Sequence, residues 1–274
     1  MKKPIKVFLI IFGVIILLAG LLFANAIYGN PYSKAMAKGA ANKYIAQTYH
    51  DTDFAIYDVS YNFKDGYYHA AVISPTSKDS YFDVAVSGKK IVYDTYENDV
   101  LTGWNTWLRI DSKYHQIVDH VLDSKDFPFK SEIAFGSIVT IDDFAGDDFG
   151  SPNYGIKLSE LELDKQYDIK QLAKTAGQIV FYAEDDEITF EKASEILLIL
   201  KDKFDQADVP FYAIDFVLEK PRKENETPGD NFSIHTANFL YSDIYENGLA
   251  ERIEQNHHLL MEYYEEQDKQ TKNN

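Results

Sequence analysis

The sequence predicts an α+β protein: an N-terminal transmembrane helix, then a domain of one helix and a four-stranded meander, then a second α+β domain. Three observations carry that expectation. An uncharged apolar run fills residues 7–24. Four short runs of β-branched and aromatic residues follow an Ala-rich segment, with turn residues about every 8 to 12 positions. The second half mixes helical and strand periods without the strict alternation of a doubly wound sheet. We place the boundaries at 1–28 for the anchor, 29–124 for the helix-plus-meander domain with a long linking helix, and 125–274 for the C-terminal domain.

The run from Val7 to Ala24 holds 18 uncharged residues. At about 1.5 Å per residue it spans roughly 27 Å, close to the hydrocarbon thickness of a bilayer. Met1-Lys2-Lys3 precedes it, and positive residues stay on the cytoplasmic side, so the N-terminus is expected inside and the bulk of the chain outside. The length exceeds the apolar core of a cleavable signal and favours a permanent, single-pass anchor. Ala24-Asn25-Ala26 fits the small-residue pattern of signal peptidase, so cleavage after Ala26 stays open as the alternative. Both readings put the residues after Ile27 across the membrane.

Composition narrows the function classes. The chain has 274 residues, a formal charge of −17 and no cysteine. Setting aside Lys2, Lys3 and Lys6 leaves −20 on the remainder, a balance that repels nucleic acid and anionic lipid headgroups. Without cysteine there is no disulfide framework, thiolate metal site, Cys nucleophile or lipid-bearing N-terminal Cys. For an exported chain this suits a bacterial cell envelope. Asn225-Glu226-Thr227 and Asn231-Phe232-Ser233 match the short glycosylation pattern, which is too common to carry weight.

Asn30-Pro31 reads as an N-cap followed by proline in the first helical turn, opening a helix to about Tyr49. Tyr32, Tyr44 and Tyr49 within it read as packing residues. "FAIYDVSYNF", "YYHAAVIS", "YFDVAVS" and "IVYDTY" then read as strands, divided by Asp65-Gly66, Pro75-Thr76-Ser77 and Gly88-Lys89-Lys90. A long helix is expected from about Asp99 to Leu122. Trp104, Trp107, Leu108, Tyr114, Ile117, Val118, Val121 and Leu122 share its apolar stripe, and the tryptophans are read as core or interdomain packing in preference to carbohydrate stacking.

Phe127-Pro128-Phe129 ends that pattern. "SEIAFGSIVTI" reads as a strand, and Asp168 caps a short helix that stops at Gly177. "QIVFYAE" is a strand, and Thr189 opens a helix whose Phe190, Ala193, Ile196, Leu197, Leu200 and Phe204 share a face. "PFYAIDFVLEK" and "NFSIHTANFLY" are strands separated by a polar loop from Pro221 to Asp230. A final helix is expected from near Ser242 into a charged tail.

Two long stretches carry a resemblance. "GAANKYIAQTYHDTDFAIYDVSYNFKDGYYHAAV" resembles the N-terminal module of the YfjL-like membrane proteins, and "FEKASEILLILKDKFDQADVPFYAIDFVLEKPRKE" resembles their C-terminal module. The helix-plus-meander layout is also similar to cystatin-like extracytoplasmic domains. The family resemblance implies a single-span, two-domain protein of unassigned function and transfers no site residues.

The chemical search ends without a site. Asp142, Asp143, Asp147 and Asp148 have the oxygen chemistry for calcium but not the spacing of a calcium loop, so a solvated turn is expected from Asp142 to Asp148. The acidic residues from Ala183 to Glu187 read as a strand end passing into a helix start. His115 and His120 point to different helix faces, and His257-His258 lies near an exposed terminus. Asp215 and His235 sit on successive strands and face each other only in one register; a structural role is expected. There is no G-x-S-x-G elbow and no Gly-rich phosphate loop.

We therefore expect no catalytic, cofactor-binding or metal-binding residues and no cofactor. The expected partners are the lipid bilayer, through the N-terminal helix, and an envelope protein, with nucleic acid excluded. The reading is a non-enzymatic, membrane-anchored extracytoplasmic binding or interaction protein. Its alternative is a divergent envelope hydrolase using Asp or Glu acid–base chemistry, which would need two facing carboxyls of raised pKa in a deep pocket.

Overall fold

The structure is a computed structural model that describes residues 3–141, 152–221 and 232–272. It is a mixed α+β chain in which a long apolar helix leads into a four-stranded antiparallel meander, followed by a second, mixed sheet. The chain divides into two compact units, residues 1–106 with 162–164, and residues 107–161 with 165–274.

In the first unit, α1 (Lys3–Tyr28) ends at Gly29, whose φ of 67° turns the chain. Asn30 then caps α2 (Pro31–Thr48) by accepting the Ser33 N–H at 2.8 Å. The turn is held from the sheet side: the Tyr68 hydroxyl accepts the Asn30 N–H at 2.8 Å and donates to the Asn30 carbonyl at 3.1 Å. A Cβ at Gly29 would lie 2.9 Å from Tyr61 Cβ, so a side chain has no room here.

Strands β1 (Ala55–Asn62), β2 (Tyr67–Ile73), β3 (Tyr81–Ser87) and β4 (Lys90–Asp94) pair in sequence order, all antiparallel. Alternate residues Tyr68, Ala70 and Val72 of β2 are buried with Phe82, Val84 and Val86 of β3, against Ala37, Ala41 and Ile45 of α2. Small alanines let the helix approach closely. At one end of this core Tyr49, Phe54, Phe82 and Tyr96 interlock, with ring centroids 5.0 to 5.7 Å apart. Asp94 accepts the hydroxyls of Tyr44 and Tyr49, and burial together with that carboxylate raises both phenol pKa values. Buried Asp79 fastens residues 162–164 into this unit by accepting the Asp164 N–H at 2.9 Å and the Thr106 hydroxyl at 2.8 Å.

The linking helix starts later than the sequence suggests. Glu97–Leu101 forms a π-helical turn, Gly103 takes a φ of 84°, and α3 runs from Trp104 to Leu122. Thr95 and Thr102 hydroxyls bond back into the turn, to Asp99 and the Asn98 carbonyl, and offer its backbone an alternative to a regular helix.

The second unit holds most of α3, β5 (Ala134–Ile138), α4 (Ile169–Ala176), β6 (Gly177–Glu184), α5 (Phe190–Gln206), β7 (Ala213–Glu219), β8 (Ile234–Leu240) and α6 (Leu249–Lys272). The sheet order is β5-β6-β7-β8. The β6–β7 pair is parallel and is connected through α5; the outer pairs are antiparallel. Asp168 and Thr189 cap α4 and α5 as the sequence predicts. Ile179 and Phe181 of β6 lie beside Ile214 and Phe216 of β7, and they pack with Ile110, Tyr114 and Val118 of α3 and with Leu197, Leu200 and Phe204 of α5. At Gly136 on β5 any Cβ would overlap Val118, so α3 comes closer to the sheet than another residue would permit. Trp107 donates from Nε1 to the Ile138 carbonyl at 2.7 Å, a packing role.

The last helix also starts later than expected. A 3-10 turn, Tyr241–Asp243, precedes it, and Arg252 holds the intervening loop through the carbonyls of Asp243, Tyr245 and Asn247. From α6, Asn256 accepts the Ala237 N–H at 3.0 Å and donates to the Ala237 carbonyl at 3.2 Å. The His257 ring meets the backbone of His235 at 3.1 Å. Side chains of α6 thus satisfy the outer edge of β8, where another strand would otherwise pair.

Candidate binding site

Within the second unit, the apolar stripe of α3 does not end at the core. Ile117 and Val121, with Ile169 at the start of α4 and Val209 after α5, floor an open groove of about 530 Å³. Its polar lining is cationic or neutral: Lys113, Gln116 and His120 from α3, and Lys170 from α4. Lys170 reaches Asp208 at 2.6 Å and holds that carboxyl below the usual range. The size falls in the range of small-ligand sites, about 300–1,000 Å³. An apolar floor bordered by Lys113 is chemically suited to an amphipathic anion, and the lining residues include no Ser, Asp or Glu.

A second arrangement is polar. Asp215 sits at a bulge where the β7–β8 register shifts between Ile214 and Phe216. It accepts the N–H of Asn238 at 2.7 Å, and Asn238 is in the left-handed region with a φ of 50°. The Tyr154 hydroxyl donates to Asn238 Oδ1 at 3.0 Å, and the Tyr154 and Tyr212 rings lie 4.7 Å apart with their planes tilted by 42°. Burial raises the Asp215 carboxyl and the Tyr154 phenol above their ordinary values. One buried carboxyl with these partners can exchange a proton. A two-carboxyl mechanism needs a second, and the hydrogen-bond partners of Asp215 are the Asn238 N–H and the Gln178 side chain, neither of them a carboxyl. The bulge, the left-handed asparagine and Tyr154 leave no sequence motif; of this group only Asp215 stands out by residue type in its strand.

The other sequence-flagged residues separate. His235 stands opposite Val217, and Asp215 turns to Asn238, so the Asp215–His235 pair does not form. His115 contacts the Gly136 carbonyl at 3.2 Å and Asp119 at 3.4 Å, whereas His120 lines the groove. His257 is buried against β8, not exposed at a terminus; its neighbour His258 is the exposed one. Burial pushes the pKa of His257 and His235 below the ordinary histidine value. Asp185 ends β6 by accepting the Glu187 N–H and lies 3.7 Å from Lys192, a structural junction. The acidic run from Asp142 to Asp148 and both glycosylation patterns at Asn225 and Asn231 lie outside the described residues. No group of three His, Asp or Glu side chains among the described residues is placed to hold a metal ion.

Comparison with known proteins places both halves of the chain. No curated protein matches it. The crystal structure of a DUF5037 family protein from Ruminococcus gnavus, at 13% identity, covers 80% of this chain and 98% of its own, with a TM-score of 0.24. The YfjL-like N-terminal domain matches residues 2–95, and the YfjL-like C-terminal domain matches residues 113–254. With its meander inside the first match and its mixed sheet inside the second, the chain belongs to the YfjL-like family.

Proposed function

We propose that the protein is a membrane-anchored, extracytoplasmic binding or interaction protein of the bacterial envelope, without catalytic activity. The observation that carries this is α1. The helical stretch from Ile11 contains an 18-residue window of mean hydropathy 2.4, none of it buried by the rest of the chain. Such a face is stable in hydrocarbon and costly in water. Lys2, Lys3 and Lys6 favour a cytoplasmic N-terminus. The groove floored by Ile117, Val121, Ile169 and Val209 supplies a place for an amphipathic, anionic partner.

The native absence of cysteine supplies the test. A single cysteine replacing exposed Lys78, in otherwise unaltered full-length protein in cells, should react with a membrane-impermeant maleimide before lysis, and the protein should sediment with membranes. Labelling only after lysis would refute the extracytoplasmic side. A mature chain starting at Ile27 would refute the anchor alone.

The alternative, an envelope hydrolase, has the raised carboxyl of Asp215 in its favour. It requires an activity on an envelope ester, amide or glycoside that Asp215→Asn abolishes while the fold is retained. Absence of such an activity from the full-length protein sinks that alternative.

A further inference from the structure

We propose that the first unit is seated on the bilayer, with the β1–β2 and β3–β4 turns in the headgroup layer beside the exit of α1. Phe63 inserts there, and Lys64, Lys89 and Lys90 meet anionic headgroups. This rests on the anchor reading of α1.

The junction between α1 and the sheet is fastened on both sides. Tyr68 holds both backbone groups of Asn30, and Gly29 is packed on Tyr61. The residues that grip the helix exit belong to one row of the sheet, because Tyr61 pairs with Tyr68, Tyr68 with Val86, and Val86 with Ile91. Three strand spacings of about 4.8 Å make that row roughly 14 Å wide. Both turns, 63–66 and 88–89, lie just beyond it, so they reach the level at which α1 leaves the hydrocarbon.

The side chains at this end suit that level. Tyr28 is 79% exposed, Tyr32 75% and Phe63 61%. Aromatic rings collect at the membrane–water interface, where an apolar body and a wet edge are both satisfied. The charge is polarised as well. Lys34 and Lys38 at the start of α2, with Lys64, Lys89 and Lys90 in the turns, stand at the end near α1. Asp51, Asp53, Glu97 and Asp99 stand at the opposite end, together with Lys78 in the β2–β3 turn. The two acids near the basic end are engaged: Asp58 lies 3.4 Å from Lys34, and Asp65 lies 2.9 Å from His69. A chain of net charge −17 therefore presents lysines where a bilayer would be.

The test uses full-length protein carrying single nitroxide-labelled cysteines, in vesicles of phosphatidylcholine and phosphatidylglycerol. Labels at Phe63→Cys and Lys89→Cys report the seat, Lys78→Cys the far turn, and Leu17→Cys the span. Leu17 should be reached by oxygen and shielded from a nickel chelate; Phe63 and Lys89 should show interfacial depth; Lys78 should lie in water. Replacing Lys64, Lys89 and Lys90 together by Glu should shift the Phe63 label toward water, since each lysine near an anionic surface favours the seated state about fivefold. If Phe63 and Lys89 match Lys78 while Leu17 is deep, the seat is refuted and the anchor stands. If Leu17 also lies in water, both fall. If the triple variant leaves the Phe63 label unmoved, the lysine contribution is refuted.

Discussion

In the first unit every strand pairs with the next strand in the chain, through turns at Asp65-Gly66 and Gly88-Lys89; in the second, the central β6–β7 pair is parallel and waits for α5 to complete the connection. The first sheet is written in local turn chemistry. The second depends on contacts far apart in sequence, down to α6 side chains that finish the edge of β8. Loop-closure entropy makes contacts of the second kind slower to form and sensitive to single remote residues.

The largest expected effects test whether each core stabilises its own unit. Phe82→Ala should remove about 3–5 kcal/mol from the first unit, and Phe216→Ala a similar amount from the second. Differential scanning calorimetry should show separate transitions, each lowered by its own variant; one transition lowered equally by both would erase the distinction. A narrower probe is Asn256→Ala, which leaves both backbone groups of Ala237 without their side-chain partner. It should cost about 1–3 kcal/mol in denaturant unfolding and promote self-association through β8. An unchanged midpoint with a monomeric elution profile would count against edge protection by α6.

Helix caps sharpen the comparison at lower cost. Asn30→Ala, Asp168→Ala and Thr189→Ala should each lose about 1 kcal/mol, the first from the first unit and the others from the second. Equal loss from both transitions by any one of them would contradict the assignment of that helix.

The smallest effect is a slope with pH. Burial holds His257 and His235 below the ordinary value, so the unfolded chain binds more protons than the folded one in that range. Stability of the second unit is therefore complete above about pH 6.5 and falls as pH is lowered through it. His257→Gln should flatten this acid-side slope in denaturant titrations at stepped pH; an unaltered slope would exclude His257 as its source. Asp215 has the opposite sense: its raised carboxyl favours the folded state at low pH, an advantage lost as pH rises through its folded value.

What the sequence discloses follows the same division. Asn30, Asp168 and Thr189 announce helix starts because capping is settled within three residues, and the meander strands announce themselves by turn and period. The starts of α3 and α6 fall later than propensity suggests because a π-helical turn and an arginine-braced loop take residues whose propensity alone suits a helix. His257 looked exposed because its position near the C-terminus carries no trace of the strand it caps. The groove was illegible for a related reason. Ile117 and Val121 belong to a stripe that reads as core, and only the packed structure shows which part of that stripe the core leaves uncovered. Net charge is a single sum and does not show where the lysines of the first unit stand.

The clasp between Tyr68 and Asn30 also bears on encounter kinetics. A long flexible tether would let an ectodomain explore a large volume and would dilute it at any given height. In the proposed bilayer seat, Gly29 held against the sheet would keep the first unit at a constant height above the bilayer, free to diffuse only laterally and about the membrane normal. A partner anchored in the same membrane at matching height then meets it in two dimensions at high effective concentration. A partner whose complementary surface stands further out would need a linker of its own.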